Sequence, residues 1–274
     1  MGSFDPVEDM VGGGVFGLPP GCWTDDTSMA LCLATSLVEC QGFDAVDQMR
    51  RYLLWAREGY LSSVGYCFDI GRTVLESLLT FEATGNPYAG STDPRSAGNG
   101  CIMRLAPIPI FFYPDFQKAE HYAVESARTT HGTQECLDAT RLFARILLRA
   151  LAGQSKEEVL DADAETFQGR PKIMAIARGE YRHKQPEDLR TTGYVVNTLE
   201  TALWCFRNTE SFEEAILVSA NLGGDADTIS AVCGQVAGAY YGESAIPKRW
   251  LENLYMGEEI RALADQLRER APSG

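Results

Sequence analysis

Two short stretches place oxygen-bearing side chains where chemistry is possible. Thr24, Asp25 and Asp26 stand in "GCWTDDTSMALCLATSL", at the front of an apolar helical pattern. Near the other end, Asp225, Asp227 and Thr228 stand in "NLGGDADTISAVCGQVAGAYYG", again ahead of an apolar helical pattern. Adjacent carboxylates repel each other unless a proton or cation lies between them. Asp and Thr are also good N-cap residues, and carboxylates are favourable at the positive end of a helix. A helix start needs one cap, however, and Thr-Asp-Asp is redundant for that purpose. Oxygen-only donors suit hard cations such as Mg²⁺ or Mn²⁺, which take carboxylate, hydroxyl and water near octahedral geometry. Together the two stretches have donors for two ions, with water completing each sphere. Such a pair polarises substrate oxygens and generates a nucleophilic water.

Other metal chemistries fit less well. His121, His131 and His183 form no HxH, HExxH or Cys-His spacing suited to zinc. An isoprenoid-diphosphate synthase wants DDxxD, and Met29 occupies the last position. No His-Asp pair marks a helical phosphohydrolase.

The elements that must position these groups read as helices. Ala30, Leu33, Ala34 and Leu37 follow the i, i+3, i+4, i+7 template, as do Ile229, Val232, Cys233, Val236, Ala237 and Tyr240. Similar patterns run through "FDAVDQMRRYLLWAREG", "TVLESLLTFEATG", "KAEHYAVESARTT", "LDATRLFARILLRALAG", "YVVNTLETALWCF" and "SFEEAILVSANLG". Ser211 is a start signal, and Gly59 and Gly153 are stop signals. "RLAPIPIFFY" is apolar, but its two prolines make a poor sheet strand. About ten helices are expected on these rules, an all-α chain with no linker rich enough to divide it. Gly234, Gly238 and Gly242, spaced by four, predict close approach of another helix.

The 274 residues can bury a sizeable core, and 45% apolar with 23% charged residues is an ordinary globular balance. A net charge of −14 argues against sequence-independent binding to nucleic acid or anionic lipid. The eight cysteines form no CxxC pair and several lie in apolar helical runs, which predicts reduced thiols in a cytoplasmic protein. No secretory signal is visible, and the longest apolar helical stretch, from Ile229 to Tyr241, is too short for a bilayer and holds Ser230 and Gln235.

"WTDDTSMAL", "AGNGCIMRLAP", "TTGYVVNTLETALWCF" and "NLGGDADTISAVCGQVAGAYYG", in that order, closely resemble the ADP-ribosylglycohydrolases, in particular the bacterial branch typified by dinitrogenase reductase-activating glycohydrolase. The resemblance runs from about Phe4 to Gly242. It implies a compact orthogonal multi-helix bundle, one domain over residues 1–274, and a dinuclear Mg²⁺ or Mn²⁺ centre. It implies hydrolysis at C1″ of the distal ribose of ADP-ribose, so the partner is an ADP-ribosylated protein or an ADP-ribose-containing small molecule. Residue by residue, Thr24, Asp25, Asp26, Asp225, Asp227 and Thr228 are the implied metal ligands.

The same resemblance assigns substrate contacts. In "SAGNGCIMR", Ser96, Gly98, Asn99, Gly100, Cys101 and Met103 would hold ribose and pyrophosphate, since glycines let backbone N–H groups approach phosphate. His131 would contact the diphosphate or ribose, and Gly193 with Tyr194 would border the adenine or ribose. Asp69 in "CFDIGRT" resembles an aspartate near the scissile bond, with a helix N-cap as its plain alternative. Family members normally open with a helix carrying "GDALG", then a glutamate over the site. This sequence begins just after that point, an N-terminally short form, and Glu8 is not that residue.

In the expected reaction the metals grip the ribose hydroxyls and position a water, and Asp25, Asp26 or Asp227 eases its deprotonation. Asp69 would receive a guanidinium leaving group if the acceptor is arginine. Arginine, serine and threonine linkages all remain open. So does a non-catalytic protein that binds ADP-ribose with the same pocket, and so does the oligomeric state.

Overall fold

The computed structural model describes residues 5–161 and 165–270. Phe4, where the resemblance begins, and both ends of the expected domain lie outside the described residues. Within them stand thirteen α-helices: α1 Asp25–Cys40, α2 Ala45–Glu58, α3 Arg72–Thr84, α4 Pro107–Phe112, α5 Phe116–Arg128, α6 Gln134–Leu151, α7 Lys156–Asp161, α8 Pro171–Ala177, α9 Val195–Arg207, α10 Phe212–Asn221, α11 Ala226–Tyr241, α12 Lys248–Asn253 and α13 Gly257–Glu269. Among the described residues β structure is confined to three isolated bridges, so the all-α expectation holds. No described helix is long and apolar enough to cross a membrane.

Local chemistry sets the boundaries. Asp44 caps α2 by accepting from the backbone N–H groups of Val46 and Asp47, and Gly59 ends it at φ 72°. Ser211 caps α10 by accepting from Glu214 N at 3.1 Å. "RLAPIPIFFY" contains α4, with Pro107 at its first turn, where a missing N–H costs nothing.

Apolar faces meet around α6, α9 and α11. Phe111, Leu142, Phe143, Leu199, Ile229 and Val236 are buried, and each stabilises the fold by about 1.5–3 kcal/mol. A Cβ on Gly234 would sit 3.3 Å from Ile216 Cδ1, and one on Gly238 3.8 Å from Phe212 Cε2, so these glycines admit α10. Gly242 departs from that expectation: nothing lies within 4 Å, and its φ of 77° ends α11.

This packing brings the front ends of α1 and α11 together. Thr24 Oγ1 lies 3.3 Å from Asp227 Oδ2, joining residues 203 positions apart. Gln235, in mid-α11, fastens the segment after the glycine loop. Its Nε2 donates to the carbonyls of Ile102 and Met103 at 2.9 and 2.7 Å, and its Oε1 accepts from Ala106 N at 2.7 Å.

Candidate active site

Thr24 is the N-cap of α1 and Asp225 that of α11, yet neither side chain bonds its own helix as a cap. Thr24 Oγ1 is 2.8 Å from Asp26 Oδ2 and reaches across to Asp227. Asp225 Oδ2 accepts from Asn99 Nδ2 at 2.6 Å. The capping alternative therefore fails for these side chains: Thr24 turns to Asp26 and Asp227, and Asp225 to Asn99.

Their electrostatics follow. Asp26 is 3% exposed, and its Oδ1 is buried with no hydrogen-bond partner among the described residues. Burial, then the Asp227 charge, pushes its carboxyl up to about 7. Asp25 is raised well above the carboxylate range by burial and by Asp26, Asp69 and Asp227. Asp69 and Asp225 are raised too, burial leading in both, with Asp227 adding to each and Asn99 opposing at Asp225. Asp69 thus belongs to the same electrostatic cluster. It does not cap α3, whose cap is Gly71. Phe68 beside it stacks edge-on with Phe16 at 5.2 Å.

A protein that crowds carboxylates without counter-charge holds protons or a cation there. The donor set of carboxylate and hydroxyl oxygens, with one buried carboxylate oxygen left over, fits a hard cation. It is not a ready-made cage: among the described residues no three His, Cys, Asp or Glu side chains converge as a ligand group. Threonine hydroxyls have to contribute, and one oxygen of Asp225 is engaged by Asn99.

The glycine loop lies beside this cluster. Asn99 N donates to Gly193 O and Val195 N to Ala97 O, both at 3.0 Å, which pairs the loop with the chain before α9. A Cβ on Gly100 would fall 2.7 Å from His131 Cε1, and one on Gly98 3.2 Å from Nε2, so glycine here admits the imidazole. His131 is buried, and burial with the Arg104 charge pushes it down to about 3, so it is neutral. Cys101 and Met103 are buried, and the Met103 N–H and C=O are bonded to Asn99 O and Gln235 Nε2, so Met103 shapes the loop from behind. The Ser96 hydroxyl is likewise engaged locally, with Ser91 Oγ and Asp93 O.

Tyr194 is half-buried beside the loop. Its hydroxyl donates to Glu135 Oε2 at 2.7 Å and accepts from Lys172 Nζ at 2.9 Å. Lys172 also stands 4.9 Å over the ring, and Tyr194 packs against the edge of the core. Sequence reasoning missed Glu135, Lys172, Arg104 and Thr198, whose Oγ1 accepts from Asn99 Nδ2 at 2.9 Å. Arg104 and Thr198 had a signal, their places in the quoted motifs.

A family model described as ADP-ribosylglycohydrolase matches residues 2–274. ADP-ribosylarginine hydrolase Tri1 of Pseudomonas putida (strain GB-1) is 43% identical over 266 residues, covering 97% of this chain and 71% of that protein. The ADP-ribosyl-[dinitrogen reductase] glycohydrolase of Rhodospirillum rubrum is 30% identical over 260 residues, covering 94% of this chain and 83% of that one. A solved structure described as an ADP-ribosylglycohydrolase-related protein complex superposes with a TM-score of 0.87 at 44% identity, covering 98% of this chain and 89% of that chain. Helical architecture, the meeting of two distant aspartate motifs and likeness along nearly the whole chain agree, and the chain belongs to the ADP-ribosylglycohydrolase family.

Proposed function

We propose that this chain hydrolyses the bond between C1″ of ADP-ribose and an arginine side chain of a modified protein, releasing ADP-ribose. Thr24, Asp25, Asp26, Asp225, Asp227 and Thr228 would hold two Mg²⁺ or Mn²⁺ ions. The observation that carries the reading is the carboxylate cluster around Asp26, which lacks both counter-charge and cap bonds beside a glycine loop. Bound ions there supply polarisation of ribose hydroxyls and an acidified water.

The chain's own residues do the remaining work. Cleavage passes through an oxocarbenium-like state and needs a deprotonated water on one side and a stabilised leaving group on the other. Asp25, Asp26 and Asp227 are the carboxylates able to hold the water's proton. Asp69, beside them in the electrostatic cluster, matches the fork of a guanidinium. The glycine loop would supply close backbone approach to the diphosphate, and the half-buried Tyr194 ring beside it an aromatic surface for the adenine or ribose. Arginine is chosen as the acceptor because relatives at 43% and 42% identity are named ADP-ribosylarginine hydrolases. We read residues 1–274 as one such domain, since every described α-helix except α12 contributes to one apolar core. A cytoplasmic location accords with eight free cysteines.

The test is ADP-ribose release from arginine-, serine- and threonine-linked substrates, with and without chelator. Release from arginine that stops with chelator and returns with Mg²⁺ or Mn²⁺ is expected. Undiminished release in chelator would remove the metals from the reading. Binding of ADP-ribose without turnover on any linkage would leave a binding protein.

A further inference from the structure

Arg104 is 1% exposed, and among the described residues no carboxylate pairs with it. It lies 4.7 Å over the Tyr52 ring, approaches Met29 Sδ at 3.8 Å, and leaves its Nε without a partner. A buried cation without a carboxylate costs several kcal/mol, so its few strong contacts are informative. The shortest runs from Nη2 to Thr130 Oγ1, at 2.6 Å. The next link runs from Thr130 Oγ1 to His131 Nδ1, at 2.8 Å.

Proton bookkeeping along this chain has one solution. A guanidinium only donates, so Thr130 Oγ1 accepts from Arg104. The hydroxyl still has its own proton to place, and Thr130 is fully buried. Among the described residues the acceptor in reach of that proton is His131 Nδ1. If Nδ1 carried a proton instead, the hydroxyl would keep a buried donor without an acceptor, at a cost of about 1–3 kcal/mol. Nδ1 is therefore an acceptor, and the ring proton sits on Nε2. Nε2 lies against the Gly98 and Gly100 backbone, and no described protein group accepts from it.

We propose that Arg104, acting through Thr130, fixes His131 as a neutral Nε2–H donor aimed into the glycine loop, where it binds a phosphate oxygen of the ligand. Arg104 and Thr130 are positioning residues: neither touches the ligand. The buried guanidinium behind the imidazole makes the local potential positive, which favours a phosphate over a hydroxyl oxygen. It also prevents the ring from charging, so His131 binds and takes no part in proton transfer. The phosphate rests on the function proposed above, whereas the tautomer does not.

The experiment is ¹⁵N NMR of the imidazole rings in the full chain, with His131→Gln assigning the His131 signals. The expected result is an Nε2–H tautomer that does not titrate between pH 5.5 and 8. Thr130→Val, checked for its fold by thermal melting, should mix the tautomers and weaken ADP-ribose binding about tenfold to a hundredfold, one hydrogen bond to a charged group. kcat should change little, and Thr130→Ser should restore both the spectrum and the affinity. An Nδ1–H tautomer, or a His131 that titrates near 6.5, would overturn the relay. ADP-ribose affinity unchanged in Thr130→Val would overturn the phosphate contact. A wild-type chain that binds no ADP-ribose counts against the function proposed above, and the spectrum still decides the relay.

Discussion

Asn99 Nδ2 donates to Asp225 Oδ2 at 2.6 Å, across 126 positions of sequence. The contact joins the glycine loop to the start of α11. It orients the carboxylate and opposes the rise that burial imposes on it. The same Nδ2 reaches Thr198 Oγ1 at 2.9 Å, so α9 holds the amide in place. Removing a group that orients a metal-binding carboxylate typically costs 10- to 100-fold in metal affinity or activity. Asn99→Ala should therefore raise the Mg²⁺ concentration needed for half-maximal turnover by about tenfold or more. A variant with the wild-type metal requirement would show that Asp225 needs no such orientation.

Asp26→Asn separates stability from activity. The substitution keeps the shape and removes a buried charge facing Asp227. The metal-free variant should be more stable than the metal-free wild type by about 0.5–2 kcal/mol at pH 7.5, as is common when a functional strain is removed. It should also release no ADP-ribose. Wild type should gain about 2.7 kcal/mol from a cation at a hundred times its dissociation constant, and the variant much less. Thermal melts in EDTA and in Mg²⁺ give both comparisons, and a variant that melts lower in EDTA contradicts the account.

His131 makes a signed contribution to stability against pH. Its folded pKa is pushed down to about 3, from an ordinary 6.5. Between those values the unfolded chain holds more protons than the folded one, so stability rises with pH across the window. The contribution is fully present above about pH 6.5 and is lost as pH falls toward 3. The raised Asp26 acts with the opposite sign over part of this range, so the useful quantity is a difference between two proteins. Wild type minus His131→Gln should lose stability steadily from pH 6.5 to 4.5 in denaturant melts. A flat difference would mean that His131 charges freely in the fold.

Gly224 has φ 67°, and a Cβ there would lie 2.2 Å from Thr191 O. That carbonyl accepts from Asp225 N at 3.1 Å, so the crowding falls on the next residue's anchor. Gly224→Ala should destabilise by about 1–3 kcal/mol through the left-handed backbone alone. It should also depress turnover at saturating Mg²⁺, because Asp225 is displaced with its anchor. A destabilised variant with full turnover would place the strain outside the site.

Much of this arrangement was legible in the sequence where the signal was local and periodic. The helices α1, α2, α3, α5, α6, α9, α10 and α11 all carry a 3.6-residue apolar stripe, and Ser211 and Gly59 mark ends where they are found. α4 was less plain, because Pro107 and Pro109 discourage a strand without announcing a helix start. Thr24 and Asp225 were ambiguous in principle: the residue types that cap a helix are also the types that bind hard cations. Only their orientation distinguishes the two, and orientation depends on α1 meeting α11. Glu135 and Lys172 reach Tyr194 from 59 and 22 positions away, and nothing in a linear pattern reports such a meeting. Arg104 lay in plain view, but a basic residue in a motif does not say that it is buried.

Gln235 spends its whole amide on one task, two donors and one acceptor on the segment from Ile102 to Ala106. A glycine-rich loop at a protein surface ordinarily exchanges its amide hydrogens through small local openings. Here the amides of Ile102 and Met103 bond to Asn99 O inside a segment whose outer carbonyls are held by the middle of a buried helix. Releasing them means disturbing α11, which also carries Asp225 and Asp227 at its front. The Ile102 and Met103 amides, at the inner end of the loop that meets the ligand, should therefore exchange on the timescale of global unfolding, as a late-opening part of the core.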